Sequence, residues 1–220
     1  LDQGLGTKKK WLTTENFLDQ DDWKLSYTEQ SQKLLKINSI NLDDKFPKLE
    51  VDIERFKKDN SDILIPGKKI AFGVDSFEEY KMWYEEDFII LAELLFEKKL
   101  FDYIYLICGP DKSHISRKII NDSNKKYFID CSSKDLQGVI LAIKSSDFYI
   151  GNNSGPLNMS AALGVKTFGL IANDPASELK FSKINPITPK DYIDNVWNRD
   201  RSGMKKLKPD EVFEQILKEL

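Results

Sequence analysis

The run with the clearest chemical meaning is Gly151-Asn152-Asn153-Ser154-Gly155-Pro156. It follows the apolar residues Phe148, Tyr149 and Ile150 and opens a stretch of small residues, so a strand hands over to a helix there. Pro156 suits a first helical turn, where its missing N–H is no loss. Gly151 and Gly155 let the backbone turn sharply and come close to a ligand. Unpaired N–H groups at a helix start, with the dipole behind them, attract phosphate. The Ser154 hydroxyl and Asn153 amide would add hydrogen bonds. The same residues equally suit a capped strand-to-helix turn that binds nothing.

A second group lies between Ser76 and Trp83. Lys81 falls in the connection after the first regular strand, where a flexible ammonium can reach phosphate oxygens as a point charge. Alone it is one of 33 basic residues, and a solvated lysine is the plain reading. Trp83 reads as a packing anchor. His114, the single histidine, follows Gly109-Pro110. A histidine there has the chemistry of a general base, but no carboxylate or serine partner accompanies it, which fits a surface or ribose-edge residue better. No Ser-His-Asp order, metal-ligand cluster or P-loop is present. Cys108 and Cys131 lack metal or redox spacing and read as free thiols of a reducing cytosol. The pairs Asp21-Asp22 and Asp43-Asp44 read as solvated.

The elements that must position these residues follow from periodicity. Ile70, Ala71 and Phe72 form a short strand ending at Gly73. Phe88, Leu91, Ala92 and Leu95 share one helical face, with acidic residues ahead of them and lysines behind. Tyr103 to Cys108 is an uninterrupted apolar run, the mark of a strand covered on both faces. A polar helix near Ser113 to Ile120, a strand from Tyr127 to Ile129, and a helix carrying Leu136, Val139, Ile140 and Ile143 come next. Phe148 to Ile150 is a strand, Pro156 to Leu163 a helix, and Val165 to Ile171 a strand. This alternation predicts an α/β fold with a parallel sheet. After Pro175 the chain reads as irregular, including Trp197 to Arg201. A final helix starts at Pro209 and presents Val212, Phe213, Ile216, Leu217 and Leu220. Ahead of the regular part, Ser26 and Glu29 have capping-box spacing before a short helix with Leu34, Leu35 and Ile37. Leu49, Val51 and Ile53 alternate as in a half-buried strand.

The chain of 220 residues carries 33 basic and 36 acidic residues, a net charge of −3, with no overall electrostatic case for nucleic acid. No apolar run approaches the roughly 20 residues of a membrane span. The start at Leu1, with Lys8-Lys9-Lys10-Trp11 and no apolar signal core after it, reads as a cut inside a longer chain. We expect a boundary or linker near Pro66-Gly67. The divisions are residues 1–66, residues 67–185, and a C-terminal segment, residues 186–220.

Taken together these residues resemble glycosyltransferase family 9, the heptosyltransferases. Gly73, Ser76 and Lys81-Met82-Trp83 are similar to the family's Gly-rich turn and Lys-x-Trp-Pro signature, with Tyr84 in place of Pro. Leu106 to Pro110 is similar to its strand ending Gly-x-Pro. Ser145 to Pro156 resembles its most diagnostic block, continued by Ala161 to Val165. Asn173-Asp174-Pro175 is similar to its Thr-Asp-Pro, and Met204 to Leu220 to its closing segment. Asn153 and Asn158 stand where the family has Asp and His.

The resemblance implies a GT-B glycosyltransferase: the Rossmann-like C-terminal domain plus the end of the N-terminal acceptor domain, residues 1–66. The C-terminal helix would cross back toward that domain. The donor would be a nucleoside-diphosphate sugar, ADP-heptose in family terms, passed with inversion to a lipopolysaccharide-type or other glycan acceptor. Lys81 would contact the diphosphate with Ser76 beside it. Asn153, Ser154, Gly155 and Asn158 would hold phosphate or sugar, the Gly109 to His114 loop would approach the ribose, and Lys134 to Leu136 the base. No cofactor or metal is expected. The catalytic group would belong to an earlier region of the acceptor domain that this sequence does not include. The partners would be the donor and a glycan or glycolipid acceptor. The location would be the cytoplasm, with peripheral contact at the inner membrane face. The competing readings are an inactive relative serving as a binding or scaffold module, and a dehydrogenase, which lacks its Gly-x-Gly-x-x-Gly here.

Overall fold

The computed structural model describes residues 21, 25, 27–37, 46–179, 183–194 and 198–220. The Lys8 to Trp11 run, Asp22, Ser26 of the capping box, Asp43, Asp44 and Trp197 lie outside them. By its contacts the chain divides into two compact units, residues 1–45 and 46–220. In the first, α1 (Tyr27–Ile37) buries Leu34, while Ile37 is exposed.

The second unit holds a six-stranded sheet in the order β3-β2-β1-β4-β5-β6, parallel throughout. The strands are β1 (Lys69–Gly73), β2 (Tyr103–Ile107), β3 (Phe128–Asp130), β4 (Phe148–Asn152), β5 (Lys166–Leu170) and β6 (Ile184–Ile187). Period-two alternation sends Ile70 and Phe72 to one face and Ala71 to the other. On the first face α3 (Glu85–Glu97), α4 (Ser113–Ser123) and α7 (Pro209–Glu219) contribute Phe88, Leu91, Ile115, Ile119, Val212 and Ile216. On the second, α5 (Leu136–Lys144) and α6 (Gly155–Ala162) contribute Ile140, Ile143 and Leu157. Helix α7 packs against α3. Its Leu220, expected on the buried face, is half exposed.

Two sequence expectations change. Leu49 to Ile53 does not form a strand: Asp52 caps α2 (Ile53–Asp59), its side chain accepting from the Arg55 N–H at 3.1 Å. A strand needs a ladder, and the segment makes one backbone bond across, from Leu49 N–H to the Ala162 carbonyl. Residues 46–66 thus fold with the sheet, Phe56 and Ile63 joining the second-face core. The other change is β6, inside the stretch read as irregular. Asn185 and Pro186 break its apolar pattern, and β6 tolerates Pro186 because it is an edge strand, paired only with β5 among the described residues.

The chain leaves β1 toward β2 on one side and resumes on the other with β4. The strand order therefore reverses between these two parallel neighbours, and loops leaving their carboxyl ends diverge to open a crevice.

Candidate functional site

At that reversal two glycines lie side by side, Gly73 in register with Gly151. Their bareness is required. A Cβ on Gly151 would stand 2.8 Å from the Gly73 Cα, and one on Gly73 would run into the Tyr149 hydroxyl. The phenol of Tyr149 is fully buried beneath this edge, and burial drives its pKa far up.

Beyond the glycines, Ser154 is the N-cap of α6 in extended conformation and Pro156 occupies the first turn. The helix mouth is open: Gly155 is exposed, and a Cβ there would meet nothing within 4 Å. It faces a cleft of about 340 Å³ whose lining includes Asp75, Ser76, Gly109, Lys134, Ser154 and Gly155. The Oδ1 of Asn158, one turn on, is buried without a hydrogen-bond partner, and the buried Ser154 Oγ has only the Tyr149 hydroxyl near it. The Asn158 amide donates to the Ser154 carbonyl at 3.2 Å. Polar atoms left unpaired in a protein interior are uncommon and point to water or a ligand.

Beside this cleft a second cluster gathers around Asp174, whose side chain is 5% exposed. Its Oδ2 accepts from the Asn153 amide at 3.0 Å and lies 3.4 Å from the Lys81 Nζ. Lys81 closes a 3-10 turn, Glu79–Lys81, and its ammonium also meets Glu78 at 2.6 Å. Burial opposes the charge on Lys81, but Glu78 and Asp174 outweigh it and hold its pKa above the usual lysine range. The two clusters are tied by Ser76, whose hydroxyl donates to the Asn153 carbonyl at 3.2 Å.

The Lys81 turn is anchored from behind. Trp83 N–H donates to Asn152 Oδ1 at 2.9 Å and its indole N–H to the Leu207 carbonyl at 2.9 Å. Arg201 donates to the carbonyls of Met82 and Trp83 and stacks 4.2 Å from the Tyr84 ring centroid.

Of the residues singled out from sequence, Ser76, Gly109, Lys134, Ser154 and Gly155 share the cleft, while Lys81 and Asn153 meet at Asp174. Lys134 is ion-paired with Asp62. His114 is exposed in the first turn of α4 and is not among the residues lining the cleft. Sequence reasoning missed Asp75 and Phe77. Asp75 receives the Gly109 N–H at 2.8 Å, and burial, with Asp111 adding to it, holds its carboxyl above the ordinary range. Phe77 is 98% exposed at the cleft rim, with Leu136 at 63%. An acidic residue just past a strand end was the available signal for Asp75; nothing in sequence marks a phenylalanine as exposed. Both cysteines are free and buried, and burial pushes the Cys108 thiol up to about 11, far from a nucleophile. Among the described residues no three His, Cys, Asp or Glu side chains cluster to hold a metal, and no helix is long and apolar enough to cross a membrane.

With this geometry in view the chain can be compared with known proteins. The sequence model described as "Glycosyltransferase family 9 (heptosyltransferase)" matches residues 8–217. No curated protein matches the sequence. Three similar solved structures are heptosyltransferases of Escherichia coli. ADP-heptose LPS heptosyltransferase II has a TM-score of 0.64 at 15% identity, covering 78% of this chain and 53% of its own. WaaC, solved with ADP-2-deoxy-2-fluoro heptose, has 0.59 at 16%, covering 87% and 55%. TibC, a dodecameric iron-containing enzyme solved with ADP-D-beta-D-heptose, has 0.58 at 14%, covering 90% and 54%. At such identities the likeness establishes the fold, a Rossmann-like α/β sheet of GT-B type. The chain spans about half the length of these relatives.

Proposed function

This chain belongs to glycosyltransferase family 9, the heptosyltransferases, and from that premise we propose that it is the donor-binding part of a glycosyltransferase. The observation that carries the reading is the open start of α6 in the cleft at the sheet reversal, with Lys81 held nearby through Asp174. A nucleoside diphosphate suits this arrangement. Free amides at Ser154 and Gly155 would receive phosphate oxygens, and the helix dipole would favour their charge.

The donor we assign is ADP-heptose, the ligand class of the solved relatives. An acceptor hydroxyl attacks the anomeric carbon from the far side, its C–O bond forming as the bond to the diphosphate breaks, with inversion. Lys81 and the α6 amides stabilise the charge growing on the departing diphosphate. In this scheme we assign that role to Lys81 and the helix start, and call on no metal or cofactor. The base that takes the hydroxyl proton we assign to an acceptor domain. The acceptor we assign is a lipopolysaccharide-type or other glycan or glycolipid, and the site of action the cytoplasm, in peripheral contact with the inner face of the membrane. In domain terms, we assign donor binding to the unit of residues 46–220, whose sheet includes β6 and is closed by α7, and the join to an acceptor domain to the residues before it.

Titration calorimetry of the folded chain with ADP and ADP-sugar tests the reading; absence of heat with both at millimolar concentration ends it. One observation favours a second reading, a non-transferring binding or scaffold relative: Lys81 is already paired with two carboxylates, and Asn occupies positions 153 and 158. Lys81→Ala separates the two. A donor site loses about tenfold or more in ADP affinity when a charged contact goes, whereas a scaffold is unchanged.

A further inference from the structure

The two sides of the cleft differ in chemistry. On one side the mouth of α6 offers N–H donors and positive dipole. On the other, Asp75 is fixed by the Gly109 N–H at 2.8 Å through one carboxylate oxygen. Asp111 stands beside it: a Cβ built on Gly109 would lie 2.6 Å from Asp111 Oδ1 and 3.5 Å from Asp75 Oδ2, so the two carboxylates face the one space that the missing Gly109 side chain leaves open. Nearby cations are Lys112, which interacts with Asp75, and Lys134, already paired with Asp62. An ionised carboxylate only accepts hydrogen bonds, so at Asp75 the cleft lining turns phosphate away and receives hydroxyls. A ligand filling both sides must carry phosphate at one end and hydroxyl donors at the other.

We infer that Asp75 is a specificity-determining residue that receives a vicinal diol of the bound ligand through the carboxylate oxygen not engaged by Gly109. The inference rests on the donor-binding reading above and adds to it one residue, Asp75, as the group that takes the hydroxyl end of a ligand whose phosphates lie at α6. The diol belongs either to the ribose or to the transferred sugar. Burying a half-solvated carboxylate is costly, and an incoming hydroxyl pair offsets that cost in a way phosphate cannot.

Calorimetry with inorganic pyrophosphate, ADP, 2′,3′-dideoxy-ADP and ADP-glucose tests this on the full chain and on Asp75→Ala. The expected loss for Asp75→Ala is about ten- to a hundredfold, the ratio for a hydrogen bond to a charged group. If the ribose supplies the diol, ADP shows the loss and dideoxy-ADP does not. If the transferred sugar supplies it, ADP-glucose alone shows the loss. Pyrophosphate binding stays equal or tightens in either case. Asp75→Asn keeps an acceptor for the Gly109 N–H, so it serves where the alanine variant fails to fold, with a smaller loss of the same selectivity. Nucleotide affinities that are unchanged or improved in both variants overturn the inference while the phosphate site stands. If pyrophosphate and ADP both fail to bind the unaltered chain, the donor-binding reading falls and this inference with it.

Discussion

Asn153 and Asp174 are matched as donor and acceptor. The amide gives its hydrogen to Asp174 Oδ2 at 3.0 Å, leaving the carboxylate free to pair with Lys81 as well. An Asp at 153, the residue the family usually carries, would set two carboxylates at that distance around one ammonium. Asn153→Asp is expected to destabilise the fold at neutral pH by about 1–3 kcal/mol, the scale of a lost buried hydrogen bond. Crowded carboxylates have raised folded-state pKa values, so the penalty is full above that range and fades as pH falls and one proton is shared. Thermal melts across pH should show this, and Asn153→Asp with Asp174→Asn should recover most of the loss. Asp75 obeys the same rule singly. Its folded pKa is raised above 3.8 by burial, so folding binds a proton and stability falls as pH rises through that window. Asp75→Asn should raise Tm at pH 7, with the gain vanishing as pH drops below 3.8. An equal gain at every pH would contradict burial as the cause.

Elements decide where such residues stand, and here the sequence was legible wherever periodicity and turn chemistry agreed. The face of α3 is buried at Phe88, Leu91, Ala92 and Leu95 as its spacing predicts. The Gly151 to Pro156 run does join strand to helix. Legibility failed where a local pattern depended on distant partners. Leu49, Val51 and Ile53 alternate, yet no strand among the described residues pairs with them, and the Asp52 cap draws Ile53 into α2. β6 hides behind Asn185-Pro186 because only its edge position makes proline tolerable. The candidate site was legible in Ser76, Lys81, Asn153 and Ser154 as residues; Asp174 was marked only within the Asn173-Asp174-Pro175 run, with nothing to show that two of them converge on its carboxylate across 93 and 21 positions of chain. The paired glycines carry the clearest prediction at this scale. Gly151→Ala forces a Cβ against the Gly73 Cα and the Tyr149 ring, neither able to withdraw from the middle of the sheet. We expect a loss of about 1–3 kcal/mol, the cost of overpacking, read as a Tm several degrees lower. Gly155→Ala, in open space, should leave Tm nearly unchanged.

At the scale of the whole molecule, the contacts separate residues 46–220 as one compact unit. That unit has its own two-faced core, and its final helix α7 closes the first face over α3. Each wall of the candidate cleft belongs to it, from Asp75 and Ser76 through Gly109 and Lys134 to Ser154 and Gly155. A hydrophobic core that closes on itself folds without help, and at about 175 residues it is of ordinary domain size. A fragment of residues 46–220 should therefore melt in one cooperative step near the Tm of the full chain and bind pyrophosphate with the same affinity. Removing residues 208–220 from that fragment should do the opposite, because Val212, Phe213 and Ile216 are buried on α7 and their loss opens the apolar face of α3 to water. Urea unfolding of the two fragments separates the outcomes. If the longer fragment lacks a cooperative transition, the second unit does not stand alone, and the site cannot be ascribed to it.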